Sequence, residues 1–156
     1  MAVRSNDRST IRGEAGLEEF EQSWDEFFSA VRRARGRAAR EQPPGLTLAQ
    51  FHLLSPLHDA GELPVGEIAL AAGIATPTAT RMLDGLARAG IITREHSKAD
   101  RRVVKICLTA KGRRLVRAKR ELVASKRRSI HDSLSGRERE QAVALLKRLA
   151  AAIEEL

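Results

Sequence analysis

The segment from residue 64 to residue 90, PVGEIALAAGIATPTATRMLDGLARAG, restricts the fold more than any other part of the chain. Val65, Ile68, Ala69 and Ala72 mark one face of a short helix that begins at Pro64 and stops at Gly73. After the three-residue turn Gly73–Ala75, Ala79, Met82, Leu83 and Leu86 repeat at i, i+3, i+4 and i+7, the signature of a second amphipathic helix. Thr76 is expected to cap that helix, with Pro77 as its first residue and Gly90 closing it. Two short helices joined by a tight glycine-containing turn have the layout of a helix-turn-helix, a pair that many helical bundles also contain.

The second helix spends its outward positions on Pro77, Thr80, Arg81 and Asp84, with Thr76 and Thr78 close by. Threonine is a mediocre helix former, so a face that only had to meet water has little use for three of them. Two β-branched runs follow, Ile91 to Glu95 and Val103 to Leu108, around a basic tip holding Lys98, Arg101 and Arg102. That pattern predicts a β-hairpin with Val104, Ile106 and Leu108 on one face and Val103, Lys105 and Cys107 on the other. A helix-turn-helix followed by a basic hairpin suits duplex DNA. The helix enters the major groove, and the hairpin reaches phosphates or the minor groove.

Charge supports this reading. The formal net charge is +8, and from Arg94 to Arg128 there are 14 Lys or Arg against the acids Glu95, Asp100 and Glu121. Such a concentration attracts nucleic acid, an anionic membrane surface or an acidic protein. Thr76, Thr78 and Thr80 have hydroxyls for phosphates or bases, and Arg81 has the fork that pairs with guanine. A charge-driven DNA-coating protein and a module for an acidic partner are the alternatives. The first would bind operator and random DNA alike; the second would not bind duplex.

Outside this centre the pattern is helical. Leu17, Phe20, Trp24, Phe27, Val31, Ala34 and Ala38 form an apolar stripe that ends at Gln42, Pro43 and Pro44. Acids gather early in that helix (Glu14, Glu18, Glu19, Glu21, Asp25, Glu26) and arginines late (Arg32, Arg33, Arg35, Arg37, Arg40), an order that a helix dipole favours. A helix through Phe51, Leu54 and Leu57 starts at a Thr47/Gln50 capping box, and Pro56 is expected to kink or shorten it. Thr109 is expected to cap a basic helix that reaches about His131. Ser135 and Glu138 form a second capping box before Ala142, Leu145, Leu146, Leu149, Ile153 and Leu156. The two terminal stripes are wider than one small lobe covers, and a two-fold dimer would bury them.

Three runs, LTLAQFHLL, PVGEIALAAGIATPTATRMLDGLARAGIITRE and DRRVVKICLTAKG, closely resemble the MarR family of winged helix-turn-helix transcriptional regulators over residues 46 to 112. The wing pattern is met by Asp100, Arg102, Leu108, Thr109 and Gly112. The resemblance implies a mainly α fold with a small antiparallel β-hairpin wing, and a homodimer joined by N- and C-terminal dimerisation helices. It places the dimer on a palindromic double-stranded DNA operator and implies repression relieved by a small aromatic or phenolic effector. Residues 1–44 would then be an N-terminal arm and dimerisation helix, 45–110 the DNA-binding lobe, and 111–156 the C-terminal dimerisation helices. Thr76, Pro77, Thr78, Thr80, Arg81, Lys98, Arg101 and Arg102 would meet DNA. Asp100 would brace a wing arginine, and Trp24, Phe28 and His52 would line the effector site. Gly85 departs from a charged family position, so a phosphate contact there is not expected.

The chain lacks a nucleophile–base motif, a phosphate-binding glycine loop and a zinc spacing among His52, His58, His96 and His131. No enzyme, catalytic residue, metal site or cofactor is expected. Cys107, the only cysteine, excludes an internal disulfide. It raises the question of a redox thiol activated by Lys105. With no apolar leader and no run of about 18 apolar residues, the expected location is the cytoplasm without membrane insertion.

Overall fold

The computed structural model describes the backbone of residues 7–40, 45–96 and 104–156, with side chains described for residues 16–37, 45–96 and 104–156. The chain divides into two compact units, Met1–Pro44 and Gly45–Leu156. The first contains α1 (Asp7–Arg40), which begins ten residues before the apolar stripe. The second contains α2 (Leu48–Ala60), β1 (Glu62–Pro64), α3 (Val65–Ala71), α4 (Thr76–Arg88), β2 (Ile92–His96), β3 (Val104–Leu108), α5 (Ala110–Asp132) and α6 (Gly136–Glu154).

Helix starts follow the expected chemistry at three places. Gln50 N–H donates to Thr47 Oγ1 at 3.1 Å while Thr47 N–H donates to Gln50 Oε1 at 2.9 Å, which closes the box that opens α2. Ser135 and Glu138 close the same box at α6, and Thr109 Oγ1 accepts from Gly112 N–H at α5. These bonds satisfy N–H groups that a helix start otherwise leaves without partners.

Pro56 does not shorten α2, one of the two effects expected of it, and the helix runs on to Ala60. An internal proline removes one helical bond and costs about 3 kcal/mol. Here Phe51, Leu53, Leu54 and Leu57, all buried, hold the helix on both sides of it. Burying each such side chain contributes roughly 1.5–3 kcal/mol, so packing outweighs the break.

The wing has one more strand than the sequence pattern predicts. β1 pairs antiparallel with β3, Glu62 opposite Cys107 and Pro64 opposite Lys105. β2 pairs on the other side, Ile92 opposite Leu108 and His96 opposite Val104. The strand order β1-β3-β2 makes β3 central. Pro64 fits because β1 is an edge strand, where a missing N–H costs no ladder bond. Three residues between Gly61 and α3 are too few to show alternation, so the sequence pattern does not reveal this strand.

One core joins these elements. Leu53 and Leu54 of α2, Ile68 of α3, Leu83 and Leu86 of α4, and Ile106 of β3 are almost fully enclosed. Ile106 and Leu108 lie on the inner face as expected, whereas Val104 near the tip is exposed. Val103 lies outside the described residues.

The turn between α3 and α4 depends on Gly73. Its φ of +64° is in the left-handed region, and Ile74 N–H reaches back to Ala69 O at 3.1 Å. This left-handed helix end lets the chain reverse direction within three residues.

Candidate nucleic-acid interface

α4 positions the candidate residues. Ala79, Leu83 and Leu86 anchor one face in the core, which forces the opposite face outward. Thr76, Pro77, Thr78 and Arg81 are exposed, and Thr80 is half-buried. The structure thus brings these five together on the first turns of one helix.

Two details differ from the sequence reading. The cap position belongs to Ala75, in extended conformation (φ −64°, ψ 139°) and without a side-chain cap bond. Thr76 is the first helical residue rather than the cap, and Pro77 follows it in the first turn. Proline fits any of the first positions because their N–H groups have no intrahelical acceptor, so Pro77 does not decide between the two registers. As a consequence the Thr76 hydroxyl is not used for capping. The second difference concerns Thr80, whose hydroxyl donates to Thr76 O at 2.9 Å. Its proton is engaged within the helix, which leaves Thr76 and Thr78 as the hydroxyl donors facing solvent.

Arg81 has no acidic partner among the described residues. Asp84, one turn further along, pairs with Arg94 of β2 across 2.5 Å. This ion pair fastens the root of the wing to α4. The sequence reading placed Asp84 on the outer face and did not pair it with Arg94, since no local spacing connects residues ten apart in different elements. Lys98, Asp100, Arg101 and Arg102 lie outside the described residues.

The base of the wing explains the Leu108-Thr109-x-x-Gly112 pattern. Thr109 N–H donates to Ile91 O at 3.0 Å, and its hydroxyl donates to Gly90 O at 2.8 Å. The same hydroxyl accepts from Gly112 N–H at 3.0 Å. A Cβ at Gly112 would lie 2.1 Å from Ile91 O, so only glycine allows this approach. Lys111 Nζ donates to Ala89 O at the end of α4, where a helix favours a cation. Through these contacts one threonine and one glycine join α4, the wing and α5.

The effector candidates fall in both units. On α1, half-buried Trp24 stacks near Phe28 with ring centroids 4.8 Å apart, and Phe20 and Phe27 continue the aromatic face. His52 is exposed on α2 and lines a surface groove with Ser55, Pro56, Asp59, Ala71 and Ala72.

Cys107 is half-buried. Burial first, then the charges of Glu95 and Glu62, push its thiol above the ordinary value and outweigh the opposing effect of Lys105. The ammonium of Lys105 is already paired with Glu62. The thiol therefore stays protonated at neutral pH, opposite to what a reactive sensor needs. Among the described residues no three His, Cys, Asp or Glu side chains are grouped to hold a metal, and no helix is long and apolar enough to cross a membrane.

Core, turn, outward helix and three-stranded wing together define a winged helix-turn-helix protein. Residues 46–104 match the model of the MarR family, so the chain carries a MarR-family winged helix-turn-helix, the DNA-binding fold of a family of transcription regulators. Solved structures agree. BpsR of Bordetella bronchiseptica, whose DNA binding is regulated by 6-hydroxynicotinic acid, is 28% identical with a TM-score of 0.65, over 83% of this chain and 98% of that one. MepR of Staphylococcus aureus, solved with DNA, is 25% identical with a TM-score of 0.67, over 86% and 97%. FabT of Streptococcus pneumoniae, 22% identical with a TM-score of 0.77 over 89% and 98%, shares the fold.

Proposed function

We propose that this protein is a cytoplasmic, homodimeric repressor that binds a palindromic DNA operator sequence-specifically and releases it on binding a small aromatic or phenolic effector. In this reading residues 45–110 contact DNA, while residues 1–44 and 111–156 dimerise. The observation that carries it is the exposed row Thr76, Thr78 and Arg81 on the first turns of α4, with Asp84 and Arg94 holding the wing beside it. A helix N-terminus with free hydroxyls and an arginine lacking an acidic partner offers donors to phosphate and to guanine. Lys98, Arg101 and Arg102 would extend the contact from the wing tip, with Asp100 bracing one of those arginines.

Support for the effector comes from BpsR, which answers to an aromatic acid. Trp24, Phe28 and His52 are the candidates to hold such a molecule. Support for the dimer comes from the exposed apolar side chains of the terminal helices, among them Phe27, Leu146 and Ile153.

Selection of bound sequences from a random duplex pool tests the reading. A recovered palindrome with half-sites about ten base pairs apart is expected for a two-fold dimer. Arg81→Ala is expected to lose about 1–3 kcal/mol of operator affinity and to relax preference at one base pair. Equal binding of operator and random DNA with a steep salt slope would favour a charge-driven coating protein instead.

A further inference from the structure

Gly85 is a costly residue where it stands. It lies inside α4, and glycine is among the poorest formers of a helix interior. The fold gains nothing from it in return. Its φ is not in the left-handed region, and a Cβ at this position would meet nothing within 4 Å. At Gly112, by contrast, a Cβ would collide with Ile91 O. Alanine at position 85 would therefore fit the protein on its own and stabilise α4, chiefly by restricting the unfolded chain.

What sets Gly85 apart is the face on which it lies. Ala79, Leu83 and Leu86 fix the buried side of α4. On the opposite side Pro77, Arg81, Gly85 and Arg88 follow at intervals of four, four and three residues, which makes them one line along the helix. That line holds two arginines and no acid. Arg81 and Arg88 are exposed, and neither has an acidic partner among the described residues. They stand about 10 Å apart along the helix axis, and between them Gly85 leaves the backbone bare. Asp84, beside the line, is held by Arg94 of β2.

We infer that α4 lies lengthwise in the major groove, with its backbone at Gly85 against the duplex and Arg88 as a further phosphate contact beyond the first turns. A helix that entered by its N-terminal tip alone would hold residue 85 away from DNA, where any side chain is tolerated. A helix that lies along the groove brings its third turn close, and a bare backbone permits an approach that a side chain blocks. An arginine one turn further on then meets the sugar-phosphate wall, a contact that orients the helix without reading sequence. The dipole also favours a cation in the last turn, but it has no use for the glycine before it. The inference rests on DNA binding through α4 and adds how far along the helix the contact runs.

Two single variants of the full chain test it, with urea melts and with titration of a duplex selected from a random pool. Gly85→Ala is expected to unfold at higher urea and yet to bind the selected duplex on the order of tenfold more weakly. Arg88→Ala is expected to weaken binding to selected and random duplex by the same factor, and to lower the slope of log affinity against log salt by about one. A stabilised Gly85→Ala that binds as tightly as wild type overturns the inference, because residue 85 then has room beside DNA. A destabilised Gly85→Ala overturns it as well, because the glycine then serves the fold. An unchanged salt slope in Arg88→Ala overturns the phosphate contact. A wild type that binds neither duplex at low salt overturns DNA binding through α4 together with the inference.

Discussion

The lobe around α4 and the helix α6 use the same aliphatic alphabet with opposite results. Leu53, Leu54, Ile68, Leu83 and Ile106 are 0% exposed, whereas α6 has no buried residue, and Leu146 and Ile153 remain 61% and 52% exposed. Both regions show the i, i+3, i+4 pattern. Periodicity identifies an apolar face but not what covers it. In the lobe the cover comes from neighbouring elements of the same unit. For α6 it has to come from elsewhere, and burying such a face is worth about 25 cal/mol per Å².

The sharpest way to break this comparison is a pair of truncations. Leu83→Ala is expected to destabilise the protein by about 2–5 kcal/mol in urea melts, by the same amount at any protein concentration. Leu146→Ala should act mainly through association, so its effect should grow as the protein is diluted. Equal, concentration-independent losses would show that α6 is covered within its own chain.

A smaller effect is expected at the joint between lobe and α5. Gly112→Ala forces Ile91 O or α5 to move and should cost about 1–3 kcal/mol in the same melts. Wild-type stability in this variant would mean that the wing base yields easily.

The smallest effect is at the start of α6. Hydrogen bonds from the Ser135 side chain and then its backbone hold the Glu138 carboxyl below the ordinary carboxylate range. Its contribution is therefore fully present above the unfolded carboxylate pKa and is lost as pH falls through the lower folded value. Amide exchange in the first turn of α6 should accelerate in acid, and Glu138→Gln, which keeps the box without the titration, should flatten that response. An identical acid response in both proteins would remove the box as its cause.

Much of the candidate interface could be read from residues close together in the chain. The α3–α4 turn, the outward placement of Arg81 and the caps at Thr47, Thr109 and Ser135 each depend on neighbours within one or two turns. The readings that needed correction concerned competition between local rules and distant ones. Pro56 was expected to kink or shorten α2, but with four buried side chains holding it the helix is not shortened. Thr76 and Ala75 are both compatible with Pro77, and the helix starts one residue earlier than the threonine suggested. Lys105 was a candidate to activate Cys107, yet burial and then the charges of Glu95 and Glu62 outweigh it.

Sequence alone determined which stretches are helical, where most of them begin, and that one helix face carries hydroxyls and an arginine, because these follow from periodicity and short-range hydrogen bonds. Tertiary structure alone decided that Glu62–Pro64 is a strand, that Asp84 holds Arg94, and that Gly112 has no room for a Cβ. Each of these depends on atoms brought together from different elements, and a linear pattern holds no record of such a distance.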